Sequence, residues 1–281
     1  MMAAMTWTTT GDAAAFDAAA GGFLRSRPVP NTVLLTVAGK VLRAGGWSGG
    51  EPAAFGWWTD GGAIRGAYVH TPPHPVLLST APDPAVRDLA TRLAAAPPPA
   101  VNLPLSGAGA FVDGWRSAAG TDPVVHRRMR LYRLAELREP AVPGSARTVD
   151  AGDRELLLRW YEGFLTELGE DVHGLHDVVD DAVGAGLATL WLVDGVPVAT
   201  AGHSRPEAGM VRIASVYTPA EQRGRGYGAA VTAAASRAAQ QAGAGDVVLF
   251  TDLDNAATNR LYQRLGYEPV EDRVVLSLRR H

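Results

Sequence analysis

Six residues, Arg223-Gly224-Arg225-Gly226-Tyr227-Gly228, carry the clearest chemistry in this sequence. They stand where a strand pattern, Met210 to Thr218, gives way to an alanine-rich helical pattern, Ala229 to Ala242. Glycines at such a junction let the main chain curl and let a ligand approach it closely. The first N–H groups of a helix have no partner inside it, and the helix dipole favours negative charge there. The arrangement suits a pyrophosphate. Arg223 and Arg225 add positive charge where phosphates would sit.

Several readings compete for this loop. A P-loop needs Gly-Lys-Ser/Thr, and Lys40 is the chain's only lysine, so that reading fails. A dinucleotide fingerprint is formally present in Gly224, Gly226 and Ala229, with Asp252 where a ribose-binding acid is expected. Only 29 residues follow Asp252 (281 minus 252), too few to finish a doubly wound sheet. An ordinary tight turn needs fewer glycines than this.

The loop, the preceding Val216-Tyr217-Thr218-Pro219 and the later stretch Asn255 to Tyr267 together resemble the GNAT superfamily of N-acetyltransferases. Arg223 to Gly228 is similar to its pyrophosphate motif, R/Q-x-x-G-x-G/A, and the likeness covers roughly residues 150 to 281. The resemblance implies an α/β fold, a mixed central sheet flanked by helices, and acetyl-CoA as cosubstrate without a metal. It implies that Val216, Tyr217 and Thr218 pair with the pantetheine arm like an added strand. Arg223, Gly224, Arg225, Gly226, Tyr227 and Gly228 would then hold the diphosphate, and Asn255 would bond the pantetheine or lie near it. Tyr262 lies seven residues after Asn255, on the same helix face. By the resemblance it protonates the departing thiolate; the competing reading is a core aromatic. The acceptor would be a primary amine of a small molecule or peptide, attacking directly in a ternary complex. A non-catalytic acyl-CoA-binding module is the alternative.

His203, Glu207 and Asp252 are candidates for the base that deprotonates the amine, each equally readable as a structural residue. Between Trp160 and Ser204 there is no Lys or Arg but eight carboxylates: Glu162, Glu167, Glu170, Asp171, Asp177, Asp180, Asp181 and Asp194. In the family the early helices wall the acceptor site, so this run either steers a cationic amine or is a solvated acidic face. His173 and His176 have no third ligand beside them and read as surface residues.

The elements that must position these groups are legible in the second half. Leu156, Leu157, Trp160, Phe164, Leu165 and Leu168 form a helical stripe ended by Gly169. A short helix, His176 to Val183, precedes two strands, Ala188 to Val193 and Val196 to Gly202, joined by Asp194-Gly195 as a hairpin. Val247 to Phe250 reads as a buried strand, Asn255 to Leu265 as a helix closed by Gly266, and Val274 to Leu278 as a last strand. A fainter version runs through the first half. Trp57 to Ile64 resembles Trp191 to Val198, followed by a helix (Pro84 to Ala95), a strand (Val101 to Leu105) and a helix (Ala110 to Ala119). Pro72, Pro73 and Pro75 stand where the second half has its glycine loop. The expected organisation is two tandem copies: a degenerate domain without acetyl-CoA at 1–140 and a catalytic domain at 145–281, divided near Glu139 to Gly144. Trp47, Trp57, Trp58 and the Gly45 to Gly50 loop shape a domain interface or the acceptor pocket.

Composition narrows the classes further. With no cysteine among 281 residues, disulfides, thiolate zinc sites and a cysteinyl acyl-enzyme are excluded. A net charge of −3 argues against a general nucleic-acid partner. Neither a signal peptide nor a membrane span is expected, which leaves a cytoplasmic location as the default.

Overall fold

Two runs of elements with the same order follow one another along the chain: strand, two helices, three strands, helix, strand, helix, strand. The structure, a computed structural model, describes residues 5–170, 172 and 174–278. His173 and Asp171 lie outside the described residues. The first run is β1 (Thr6–Thr10), α1 (Ala13–Arg25), α2 (Thr32–Arg43), β2 (Ala54–Asp60), β3 (Ala63–His70), β4 (Val76–Leu78), α3 (Asp83–Ala95), β5 (Ala100–Pro104), α4 (Ala108–Ala119) and β6 (Val124–Leu134). The second is β7 (Ser145–Thr148), α5 (Arg154–Leu168), α6 (Leu175–Gly184), β8 (Ala188–Val193), β9 (Val196–His203), β10 (Met210–Tyr217), α7 (Tyr227–Gln241), β11 (Asp246–Asp252), α8 (Ala256–Arg264) and β12 (Tyr267–Ser277).

The chain packs as two units that do not follow the runs to their ends. The first unit holds the residues up to Leu131 with Thr251–Asp254 and everything from Pro269 on; the second holds Tyr132–Phe250 and Asn255–Glu268. Thus most of β12 belongs to the first unit. There it pairs antiparallel with β5, from Arg273 opposite Pro104 to Ser277 opposite Ala100. The last residues of β6 belong to the second unit, where the Ala135 N–H donates to the Gly266 carbonyl at 3.0 Å.

Within the first unit β1 to β4 pair antiparallel in sequence and β4 pairs parallel with β5. The parallel pair needs a crossover, which α3 supplies. Side chains alternate across this sheet. Phe55 and Val69 join α1 and α2 in one core, while Trp58 and Tyr68 join α3 and α4 in another. Burying a side chain such as Phe111 there contributes about 1.5–3 kcal/mol. Trp58 and Tyr68 both meet Trp7 edge-on, at 5.7 and 5.3 Å, so Trp58 is core of this unit.

The second unit repeats the plan. β7, β8, β9 and β10 pair antiparallel, β10 and β11 parallel, with α7 as the crossover. One core lies under α5 and α6, the other under α7 and α8. The Asp194-Gly195 hairpin forms as expected, both residues at positive φ (50° and 78°). Gly61-Gly62 makes the same turn between β2 and β3, with φ of 57° and 81°. A register shift follows Trp58 in β2 and Trp191 in β8. The repeat distance set by these details is therefore 133 residues (191 minus 58), one less than the motif comparison implies.

Candidate active site

The site is built where β10 loses its neighbours. Its parallel pairing with β11 runs from Met210 opposite Asp246 to Ile213 opposite Leu249 and has no further step among the described residues. Towards β9 the register shifts between Ala214 and Tyr217, and Ser215 takes φ of 47°. A bulge bends a strand and redirects its main chain. Ala214 to Tyr217 thereby continue as a strand with β9 on one side and an open ladder edge on the other, which an extended ligand can complete. Val216, Tyr217 and Thr218 are half-buried along this stretch.

A short turn, Ala220–Gln222, leads from Pro219 to the glycines. Gly224 and Gly226 have φ of 78° and 84°, values that side chains other than glycine adopt at a cost of about 1–2 kcal/mol. Gly226 caps α7 with no side-chain bond to the helix, and its first turn holds no acidic residue. The first N–H to be taken up internally is that of Ala230, on the Gly226 carbonyl at 3.0 Å. A Cβ at Gly224 would meet nothing within 4 Å, so its main chain is open to approach. At Gly226 a Cβ would press on Val142 at 3.0 Å. Open amides and a bare helix start whose first turn carries no acid fit a diphosphate.

The corresponding loop of the first unit does not. β4 comes after Pro72, Pro73 and Pro75, so the counterpart of the glycine loop is not the proline segment but the four residues Ser79 to Pro82. They lead into α3 with Pro82 as its cap and Asp83 in its first turn. That acid repels an anion.

Arg223 is exposed but held by several partners. Its Nε donates to the Thr218 carbonyl at 2.9 Å, and one terminal nitrogen donates to both Glu167 oxygens at 2.5 and 2.8 Å. The guanidinium also lies over the Tyr217 ring, 5.8 Å from its centre. Arg225 makes a weaker bond, 3.3 Å to Gln222 Oε1. Glu167 comes from the last turn of α5, whose core face is Leu157 and Tyr161. Trp160 and Phe164 instead pack on Tyr217, each 6.5 Å away between ring centres.

Tyr262 is the one buried residue of α8, and burial pushes its hydroxyl up to about 12. Among the described residues nothing hydrogen-bonds that hydroxyl. Asn255 caps α8 by accepting from the Thr258 N–H at 3.1 Å, so its side-chain oxygen already has structural work. Asn259, which spacing did not single out, accepts from the Tyr132 hydroxyl at 2.9 Å. Tyr227 is buried in the core beneath α7, and Gly228 packs near Thr218.

The three base candidates differ. His203 is half-buried at the end of β9, and desolvation lowers its pKa, which keeps the ring neutral. Asp252 accepts from the Asp254 N–H at 2.8 Å and faces Arg127 at 3.9 Å. Glu207 forms a main-chain bridge with Met210. In the acidic run, Asp180 pairs with Arg154, Asp181 with Arg205 and Glu167 with Arg223. Arginines from outside the run thus offset part of its charge.

A sequence model of the acetyltransferase (GNAT) family matches residues 154–267. No curated protein matches the chain by sequence. Among solved structures, a GNAT-family acetyltransferase from Colwellia psychrerythraea is 10% identical, with TM-score 0.58 over 97% of this chain and 98% of its own. A tandem GNAT protein from the clavulanic acid biosynthesis pathway is 12% identical, with TM-score 0.58 over 97% and 98%. A Drosophila protein reaches TM-score 0.65 at 12% identity, over 98% and 99%. At these identities the likeness is one of fold, a mixed sheet flanked by helices in both halves. Residues 154–267, which hold both the glycine loop and Tyr262, thus match the acetyltransferase (GNAT) family.

Proposed function

We propose that the second unit transfers an acetyl group from acetyl-CoA to a primary amine of a small molecule or peptide, by direct attack in a ternary complex. The observation that carries this reading is the end of the β10–β11 ladder at Ile213 beside a helix whose first amides are uncapped. An extended arm with a diphosphate at its end suits both features at once. Main-chain amides of 224 to 228 would hold the diphosphate, and Val216 to Thr218 would pair with the pantetheine arm. When bound, acetyl-CoA supplies an activated thioester.

The chain's own part is to orient and to move protons. A raised pKa keeps Tyr262 protonated across working pH, so its Oη holds a proton for the departing sulfur. His203, kept neutral by burial, is the best of the three candidates for accepting the amine proton. With no cysteine available, the acetyl group is not passed through a cysteinyl enzyme. The first unit, with Asp83 at its helix start, is a degenerate copy that binds no acetyl-CoA.

The test is release of free thiol from acetyl-CoA in the presence of a panel of amines. The protein contributes no thiol of its own, so any signal is coenzyme. Amine-dependent release supports the reading. Binding of acetyl-CoA with no release across the panel would favour a non-catalytic acyl-CoA module.

A further inference from the structure

The surroundings of Arg223 form a recognition set for a planar cation. A carboxylate (Glu167), a carbonyl (Thr218) and an aromatic face (Tyr217) converge on one guanidinium. Tyr217 is set firmly for this. Trp160 and Phe164 back its ring, and Gly163 leaves room for its hydroxyl, which a Cβ there would approach to 2.8 Å. Each of these groups attracts positive charge. The chain's own guanidinium therefore reports what the subsite binds.

Arg223 also directly precedes Gly224, at the start of the amide cradle. A diphosphate seated on 224 to 228 is a doubly charged, multidentate acceptor and competes with Glu167 for this side chain. The existing pair is exposed on both sides, 47% and 48%, and such pairs are weak. The exchange is therefore inexpensive.

We propose that Arg223 is a resident cation that moves to the coenzyme diphosphate, and that the subsite of Tyr217, Glu167 and Thr218 then takes a cationic group of the acceptor. The acceptor class is an amine bearing a second positive group, a guanidinium or alkylammonium. Coenzyme binds first and opens the subsite. This inference rests on the acetyl-transfer reading above, with Glu167 and Tyr217 as specificity residues.

Calorimetric titration tests it, using agmatine as the probe and 1,5-pentanediol as an uncharged control. Each is titrated into the protein alone and into protein saturated with CoA, the thiol product, so that no turnover occurs. Agmatine is expected to bind the CoA-loaded protein about ten-fold more tightly than the free protein, while the diol shows no such gain. Glu167→Gln is expected to remove that gain yet bind CoA at least as tightly as the parent, because Arg223 is already released. Tyr217→Leu is expected to weaken agmatine several-fold. Thermal melts of both variants confirm folding. Equal or absent agmatine binding in the two states, or a full gain in Glu167→Gln, overturns the inference while leaving acetyl transfer intact. Failure of CoA to bind the parent protein overturns both readings together.

Discussion

Tyr262 and Tyr267 meet edge to face, ring centres 6.0 Å apart and planes at 66°. Both are buried, and burial raises both hydroxyls, yet they differ in what the hydroxyl does. The Ser236 hydroxyl donates to the Thr232 carbonyl at 2.6 Å, so the 2.7 Å bond between Ser236 and Tyr267 has Tyr267 as donor. Tyr267 spends its proton on the fold. Tyr262 keeps its own.

Removing each hydroxyl separates the two roles. Tyr262→Phe should lower kcat by about 10²–10⁴-fold with CoA binding nearly unchanged. Tyr267→Phe should cost about 1 kcal/mol of stability and leave kcat close to the parent value. Steady-state kinetics beside chemical denaturation check the pair. Unchanged turnover in Tyr262→Phe removes this residue from the mechanism.

Gly226→Ala should weaken CoA binding by about ten-fold or more. The substitution forces a Cβ into a left-handed backbone at about 1–2 kcal/mol and towards Val142, so the loop shifts away from its helix-capping shape. Calorimetry with CoA measures the loss. Gly224→Ala, where a Cβ meets open space, shares the backbone strain without the contact and should lose less.

Arg273 ties the end of the chain into the first unit. Only 2% exposed, it donates to Asn102 Oδ1 at 2.8 Å and to the Leu78 carbonyl at 2.7 Å, and pairs with Glu271 at 3.0 Å. Arg273→Ala should destabilise the protein by about 3–5 kcal/mol, through a cavity and acceptors left without donors. For the same reason residues 145–281 expressed alone should not fold stably, since β12 would lack β5. Circular dichroism melts test both statements.

Acid should weaken the start of α5. Two bonds from Arg147, at 2.5 and 2.7 Å, hold the Asp153 carboxyl below the usual carboxylate range despite burial. A carboxylate depressed in the fold stabilises it fully above its unfolded value of about 3.9, and that contribution fades as pH falls through the lower folded value. The melting-temperature gap between the parent and Asp153→Asn should therefore be constant near neutrality and close below about pH 4. A gap that widens in acid contradicts the pairing.

The second half of the fold was legible because its signals are local. A glycine ends α5, Asp-Gly turns β8 into β9, and three alternate glycines mark the start of α7. Ala188–Val193 matches to the residue. The first fifty residues carry β1, α1 and α2, whose marks, the Asp12 cap of α1 and Gly45 after α2, stand beside no hairpin pair or run of alternate glycines. The placement of β4 was hidden by its length: three residues, Val76–Leu78, give no alternation to read. That is why the proline segment stood in for the loop that follows it. The pairing of β12 with β5 is long-range, and sequence spacing holds no trace of it.

At the site, residue types were readable and partners were not. Spacing brought Asn255 and Tyr262 to one helix, but Asn255's capping bond and the free hydroxyl of Tyr262 are properties of packing. Glu167 appeared only as one acid of eight, and Arg223 only as charge beside a diphosphate. Their pairing across 56 residues emerged from the fold.

Acetyl transfer at this site depends most on where the coenzyme diphosphate sits, and amide NMR spectra of isotopically labelled protein titrated with CoA show this directly. The amide signals of Gly224, Gly226 and Gly228 should move most and saturate together, with Val216 and Tyr217 following. Shifts confined to other residues, or none at saturating CoA, would contradict the assignment of this loop and the acetyl transfer built on it.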